Sequence, residues 1–502
     1  MDYKKPNRLP FFGKGFTHGA YLIFIVSASL TGCFHFGSNT PTADVISGRD
    51  PSQIVRLDSV PDNFNNLFAS AATFSFYQSN DFAPVWLKNK RTTSLADSMI
   101  HIIRSVRTYG LLPQDYHIEE LDDLIRNQSQ YKDDFYIPKV DLLLTDAFFR
   151  IANHLKFGRL YPDSLKRYTT SRLGDSLQIT LLKNALLKNE IKRALESQEP
   201  KYDKYQQLQH FLRGILRSTD STERAILLSG HHVDTSVISA NVITLEINLE
   251  RWRWESQLRG RHIAVNIPSF LLDVVEEDSV VFKSKVIVGT HKHKTPVLDG
   301  LIRSFTIYPY WNVTRNIAVR EILPQVKRDS LYLQKHQYEV LDIAGNILAD
   351  SAINWNLYGE NNFPFTIRQR EGIHNALGLI KFTFNNPYAV YLHDTNARLL
   401  FNRSKRSLSH GCVRVENALE LGRYLVKGGD IVTPDDLDQY LELRKQLTVR
   451  IENPIPVHLR YFTCDLEDGQ VNFYDDIYNQ DEPLKKALYQ HDEIFPEVAA
   501  MQ

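Results

Sequence analysis

The apolar residues of this chain change their repeat once, near residue 255, and that switch limits the folds open to it. From about Val55 to Ile215 they recur at helical spacing. Leu95, Met99, Ile102, Ile103 and Val106 share one face, Leu144, Phe148, Ile151 and Leu155 another, and Leu208, Leu212 and Ile215 a third. The run Leu245–Trp254 reads as one more helix. Beyond it the period falls to two, in Ile263, Val265 and Ile267, then Val280, Phe282, Val286 and Val288, then Phe305 and Ile307. Strand signals resume at Ile380-Lys381-Phe382 and from Tyr388 to Leu392, and Pro456 to Phe473 reads as a hairpin turning at Glu467-Asp468-Gly469. With 502 residues, more than one core is expected, so the pattern predicts an α+β multidomain protein, helical first and β-rich second.

Lys plus Arg and Asp plus Glu number 59 each, which gives no basic footprint for nucleic acid. Cys33, Cys412 and Cys464 show no metal-ligand spacing, and the pair His231-His232 lacks a third ligand nearby. No metal and no cofactor are expected. Cys464 sits in the alternation Val457, Leu459, Tyr461, Thr463 and reads as a buried strand residue.

Cys412 differs in its surroundings. It lies in Leu408-Ser409-His410-Gly411-Cys412-Val413-Arg414-Val415-Glu416-Asn417, with Tyr391-Leu392-His393-Asp394 upstream. A thiol attacks as thiolate, so a nucleophilic Cys needs a nearby imidazole, exposure and positive potential. His393, at the end of a strand, is the expected base, oriented through its second ring nitrogen by a backbone carbonyl. His410 is expected to shape the oxyanion region with the amides of Gly411 and Cys412. Asn417 reads as the N-cap of a helix closing at Gly428-Gly429, which would set Cys412 just ahead of a dipole that favours thiolate.

His393, a spacer, then Ser409-His410-Gly411-Cys412-Val413-Arg414 resembles the signature of the L,D-transpeptidases of the YkuD fold. Phe76–Trp86, Tyr109–Tyr116 and Gly158-Arg159-Leu160 are similar to the scaffold region of the large murein members, and the likeness runs from about Phe74 to Asp481. It implies a helical scaffold domain over residues 55–244 and a β-rich YkuD-like catalytic domain over 245–482, with a capping subdomain inserted at 316–372 and a C-terminal tail at 483–502. The peptidoglycan-binding module usual in such enzymes is missing between Arg217 and Ala240. The implied reaction forms cross-links between diamino acid residues of peptidoglycan stem peptides. Cys412 would be acylated by a donor tetrapeptide with release of D-Ala, then deacylated by an amine acceptor. Carbapenems commonly acylate this Cys in the family. The resemblance assigns Arg414 to a stem carboxylate or to bracing the loop, and Ser409, Gly411, Tyr391 and Trp311 to the oxyanion and substrate pocket. A hydrolase of the same fold, whether L,D-carboxypeptidase or cross-link hydrolase, would use the same Cys and His; a non-catalytic envelope lipoprotein that binds peptidoglycan is the alternative from another class.

Four basic residues precede the apolar run Ala20–Gly32, which ends Leu30-Thr31-Gly32-Cys33. This resembles a bacterial lipoprotein signal peptide, residues 1–32, with Cys33 as the lipidated residue and 33–54 as a tether. A periplasm-facing lipoprotein of the bacterial cell envelope is therefore expected, with a membrane as a partner through its lipid.

Overall fold

The structure is a computed structural model that describes residues 67–167, 170–218 and 240–489. The Leu30–Cys33 stretch, the tether, His231-His232 and most of the expected tail lie outside the described residues. Among the described residues no helix is long and apolar enough to cross a membrane.

The first half is helical, with helices Ser70–Gln78, Ser94–Ser105, Ile118–Arg126, Asp133–Phe157, Asp175–Lys188, Ile191–Glu196 and Asp203–Ser218. A two-strand ladder, β1 (Leu87–Lys88) with β2 (Arg91–Thr92), interrupts it. The expected faces are buried, Met99 and Ile103 on one helix and Leu144, Phe148, Ile151 and Leu155 on the longest. At Ser94 the helix starts because the Thr93 hydroxyl accepts the Ala96 N–H at 3.2 Å, supplying one of the orphan donors of the first turn. The buried carboxylate of Asp141 is fully occupied. It accepts the Tyr77 hydroxyl at 2.6 Å and the Val85 and Trp86 amides at 2.8 Å.

The helix Ala240–Trp254 is not a lead-in to the second half but the piece both halves share, so the expected boundary at residue 245 falls inside it. Val242, Leu245, Ile247, Leu249 and Trp252 are all buried, against Leu160, Leu208 and Leu212 of the helical half and Phe462 and Cys464 of the β half. Its polar positions are equally committed. Glu246 pairs with Arg107 at 2.8 Å, and Glu250 accepts the Leu160 amide at 2.8 Å. Asn248 exchanges two bonds with Thr463, at 2.8 and 3.0 Å. Arg107 and Glu246 are both out of solvent, so removing either leaves an uncompensated charge, a loss of about 3–5 kcal/mol. Residues 481–489, expected mostly as tail, form a helix that joins this cluster through Leu484 and Leu488.

The β half contains β3 (His262–Asn266), β4 (Leu271–Glu276), β5 (Ser279–Gly289), β6 (Leu298–Ile307), β11 (Ile380–Thr383), β12 (Leu392–His393), β13 (Ser407–Ser409), β14 (Val413–Val415) and β15 (Leu447–Arg460). Their pairing order is β13-β5-β14-β12-β11-β6-β15-β3-β4, and β4 pairs back onto β5, so the eight strands from β5 to β4 close into a barrel. Its interior is filled by alternate residues such as Val265, Val274, Val286, Phe305, Phe382, Leu392, Val413 and Val457. Val280 lies in β5 as expected, at an exposed tip that runs past the core. Two strand expectations need correction. From Tyr388 to Val390 the chain is a turn with Ala389 at φ +52°, and only Leu392–His393 pairs as strand. The closing hairpin is β16 (Cys464–Glu467) with β17 (Gln470–Phe473), whereas β15 belongs to the barrel.

The expected capping insertion is a folded unit. It holds β7 (Trp311–Asn312), β8 (Tyr338–Leu341), β9 (Ile347–Leu348) and β10 (Thr366–Gln369) in one sheet ordered β7-β10-β8-β9. Val319, Ile322, Leu323, Val326, Leu333, Val340, Phe363 and Ile367 give it its own core. Its first strand begins at Trp311, ahead of the boundary at residue 316 read from the sequence.

Candidate active site

Three ladder partners set the site. Lys381 on β11 stands opposite His393 on β12, and His393 opposite Arg414 on β14. Directly paired residues share a face of a sheet, so these three side chains form a row across the barrel wall. Their neighbours Phe382, Leu392 and Val413 point the other way, into the core.

His393 is buried, and its Nδ1 lies 2.5 Å from the backbone oxygen of Asp394. That bond makes Nδ1 the donor and leaves Nε2 as the basic nitrogen, the orientation expected from the sequence. Asp394 in turn is fixed by its side chain, which accepts the Leu379 amide at 2.9 Å and pairs with Arg398 at 2.9 Å. Gly378 has to be glycine here, because φ is +62° and a Cβ would stand 2.3 Å from the Asp394 carboxylate.

The turn before β14 is pinned from within. The Ser409 hydroxyl donates to the Cys412 carbonyl at 2.6 Å and accepts the Gly411 amide at 3.1 Å. The Thr295 hydroxyl donates to the Gly411 carbonyl at 2.8 Å, and Gly411 holds φ +112°. Of the two amides expected to serve an oxyanion, that of Gly411 is therefore engaged. The Cys412 amide is without a partner among the described residues. The Cys412 thiol is half-buried, 3.9 Å from the Ala389 carbonyl, with the Tyr391 hydroxyl within reach of it and of Trp311.

Burial decides the electrostatics of this pocket. It pushes the Cys412 thiol above its usual range, against the lowering pull of Tyr391, Lys381 and Arg414. Burial also pushes His393 down to about 3, helped by the Arg414 and Lys381 charges. At rest the Cys412 thiol and the His393 imidazole are thus both neutral, each beside Lys381 and Arg414. Lys381, its ammonium 4.0 Å from the Tyr391 ring centre, and Arg414 have no carboxylate partner among the described residues. Both are partly desolvated, and burial lowers the pKa of each. Two unpaired cations beside a thiol make a place prepared for negative charge.

Two expected roles are placed differently. The ring of His410 turns to the cap, with Nε2 2.8 Å from Glu321, and packs on His293 at 5.0 Å between centres. It thereby ties the turn to the cap. The helix Ala418–Val426 starts where expected, but the Asn417 side chain makes no cap bond and β14 separates the helix from Cys412. A helix field falls off within its first turn, so it does not reach the thiol. The remaining expected residues, Ser409, Gly411, Tyr391, Trp311 and Arg414, gather around Cys412. Lys381 joins them unannounced by any motif; the one signal for it is its place at the polar position of the alternating Ile380-Lys381-Phe382.

The β half is thus a closed eight-strand barrel with a separately folded insertion, and Cys412 lies in the turn before β14. Residues 260–433 match the L,D-transpeptidase catalytic domain (YkuD), and residues 71–212 match the Scaffold domain. The chain thus carries a YkuD-family L,D-transpeptidase catalytic domain behind a scaffold domain. A Haemophilus influenzae protein named "Putative L,D-transpeptidase" is 32% identical over 301 residues, 58% of this chain and 61% of its own length. The match therefore spans less than two thirds of that relative. A solved structure titled "Structure of the Ldtfm-avibactam carbamoyl enzyme" is 9% identical over 41% of this chain and 51% of its own, with a TM-score of 0.17, too low to bear on the fold.

The neutral imidazole generates a test: if Cys412 is a nucleophile with His393 as its base, acylation of Cys412 should stay flat from about pH 8 down to about pH 5 instead of falling through the usual His range near 6.5. Arg414→Met removes a charge that opposes the imidazolium, so its acid limb should move up in pH. A wild-type limb at pH 6–7, read from acylation rates by mass spectrometry, contradicts this.

Proposed function

We propose that this protein is a peptidoglycan L,D-transpeptidase that works through a thioester on Cys412. The carrying observation is a Cys412 thiol beside two cations, Lys381 and Arg414, that lack carboxylate partners among the described residues and share a ladder row with His393. A donor stem ends in a D-amino acid carboxylate close to its scissile amide, which answers those cations with the one charge they lack.

In the proposed cycle the Cys412 sulfur attacks the carbonyl carbon of the donor's third residue while its proton passes to His393 Nε2. The oxyanion so formed is met by the Cys412 amide and the nearby positive charge. The C–N bond then breaks, and D-Ala leaves as its amine with the proton returned from His393. A neighbouring stem's side-chain amine attacks the thioester, His393 takes its proton, and the new amide forms as sulfur leaves and is reprotonated by His393. Trp311 and Tyr391, under the cap, would shield the thioester from water and favour the amine over hydrolysis.

Purified muropeptides with tetrapeptide stems should lose D-Ala and appear as dimers joined through their diamino acids when incubated with the protein, and a carbapenem should add its mass to Cys412. Cys412→Ala should abolish both. Lys381→Met should lower kcat/KM by about 10–100-fold, the worth of one bond to a charged group. Tripeptides without dimers at high acceptor concentration would instead establish the carboxypeptidase.

The same reading puts the protein in the envelope, with Cys33 as its lipid anchor. One acyl chain holds a protein only marginally and several hold it firmly, so Cys33→Ser should leave the protein soluble after cell fractionation or with its signal segment uncleaved. Unchanged membrane retention and processing in that variant would refute the anchor.

A further inference from the structure

The cap side of the cleft differs in chemistry from the Lys381–His393–Arg414 row on the barrel wall. From the thiol outward, the Tyr391 hydroxyl reaches both Cys412 and the Trp311 side chain. The Trp311 ring lies 6.3 Å from that of Tyr338, and Tyr338 stacks with Tyr332 at 6.4 Å between centres and 18° between planes. All three rings pack on the cap core and stay half-exposed. Glu321 completes the arc. Its charge acts on the hydroxyls of Tyr332 and Tyr338, and its Oε1 lies 2.8 Å from His410 Nε2. The arc thus runs from the thiol along three aromatic rings to one carboxylate, and from there back to the turn that bears Cys412.

Glu321 has no Lys or Arg partner among the described residues. Basic neighbours in the cap are engaged elsewhere, Arg320 with Glu360 at 2.6 Å and Lys335 with Asp329 at 2.7 Å. The Glu321 side chain is 52% exposed and its second oxygen makes no hydrogen bond among the described residues, so a ligand can reach it. It sits in a π-helical turn, Ala318–Ile322, a rare interruption of regular helix that is frequent at functional sites. An accessible carboxylate beside half-exposed Tyr rings selects a cation, because it accepts charged N–H donors and the ring faces carry negative potential. It also repels the anionic groups that Lys381 and Arg414 attract. The cleft therefore sorts charge, with negative groups drawn to the barrel wall and positive groups to the cap.

We infer that Glu321, with the faces of Tyr332 and Tyr338, is the specificity site that captures the acceptor amine as its ammonium ion. The inference rests on the transpeptidase reading for the identity of the amine; the preference for a cation rests on Glu321 and the rings. Capture is binding alone. The ammonium then gives one proton to water and attacks the thioester as free amine, with His393 taking the second proton. The first test lets a muropeptide acceptor and hydroxylamine, which is uncharged at neutral pH, compete for one acyl-enzyme of the full chain. Glu321→Gln should lower the ratio of dimer to hydroxamate by at least about tenfold, the worth of one hydrogen bond to a charged group, and Glu321→Asp should restore part of it. Because both products come from the same thioester, a change in acylation or in the amount of folded enzyme cancels. A ratio that Glu321→Gln leaves unmoved overturns the inference. The second test needs no turnover and no change in the cap. On Cys412→Ala, the acceptor muropeptide should bind at least about tenfold tighter by calorimetry than the same muropeptide acetylated on its side-chain amine. Equal binding overturns the inference. A wild type that makes no dimers would end the transpeptidase reading while the binding comparison still decides this one, and dimers with an unmoved ratio would end this one alone.

Discussion

Two residues of parallel pairing, Leu392 against Val413 and His393 against Arg414, hold the His393 and Cys412 segments side by side. So short a ladder carries little energy of its own. It is stable because each partner is anchored elsewhere, β12 by β11 and the Asp394 side chain, β14 by β5 and the Ser409 and Thr295 hydroxyls. The barrel closes around these contacts, and the shared helix Ala240–Trp254 ties it to the scaffold through the buried Arg107–Glu246 pair. Geometry at the thiol thus rests on packing well away from it.

The same pairing sets the electrostatics. A row of Lys381, His393 and Arg414 on one face forces an imidazole to sit between two cations in a partly dry pocket. Imidazolium is expensive there, and so is a thiolate that must leave water, although the cations favour the latter. Both groups are therefore neutral at rest, and under the proposed function proton transfer would accompany attack in place of a standing ion pair. The cations wait without carboxylate partners, which costs stability and is the usual mark of a functional site.

The two halves and the segment around Cys412 are legible in the sequence because their signals are local. Apolar period separates helix from strand, and the spacing from His393 to Cys412 survives in one dimension. What the sequence does not convey depends on partners distant in the chain. Lys381 joins the site only through its register with His393, and nothing in its neighbourhood of the sequence announces that. His410 faces Glu321, 89 residues away on the cap. The helix after Asn417 is legible as a helix but not in its position relative to the thiol, because β14 lies between them.

The ultraviolet absorbance of the thiolate tests directly whether Cys412 rests uncharged in the folded protein. Titrated in the folded full chain, with Cys412→Ala subtracted as the baseline, the signal should be absent at neutral pH and rise only above the ordinary thiol range, as burial of Cys412 requires. A thiolate band already present at pH 6–7 and lost together with His393 would mean a preformed ion pair, and Lys381 and Arg414 would then be stabilising a standing thiolate instead of waiting for an anionic substrate.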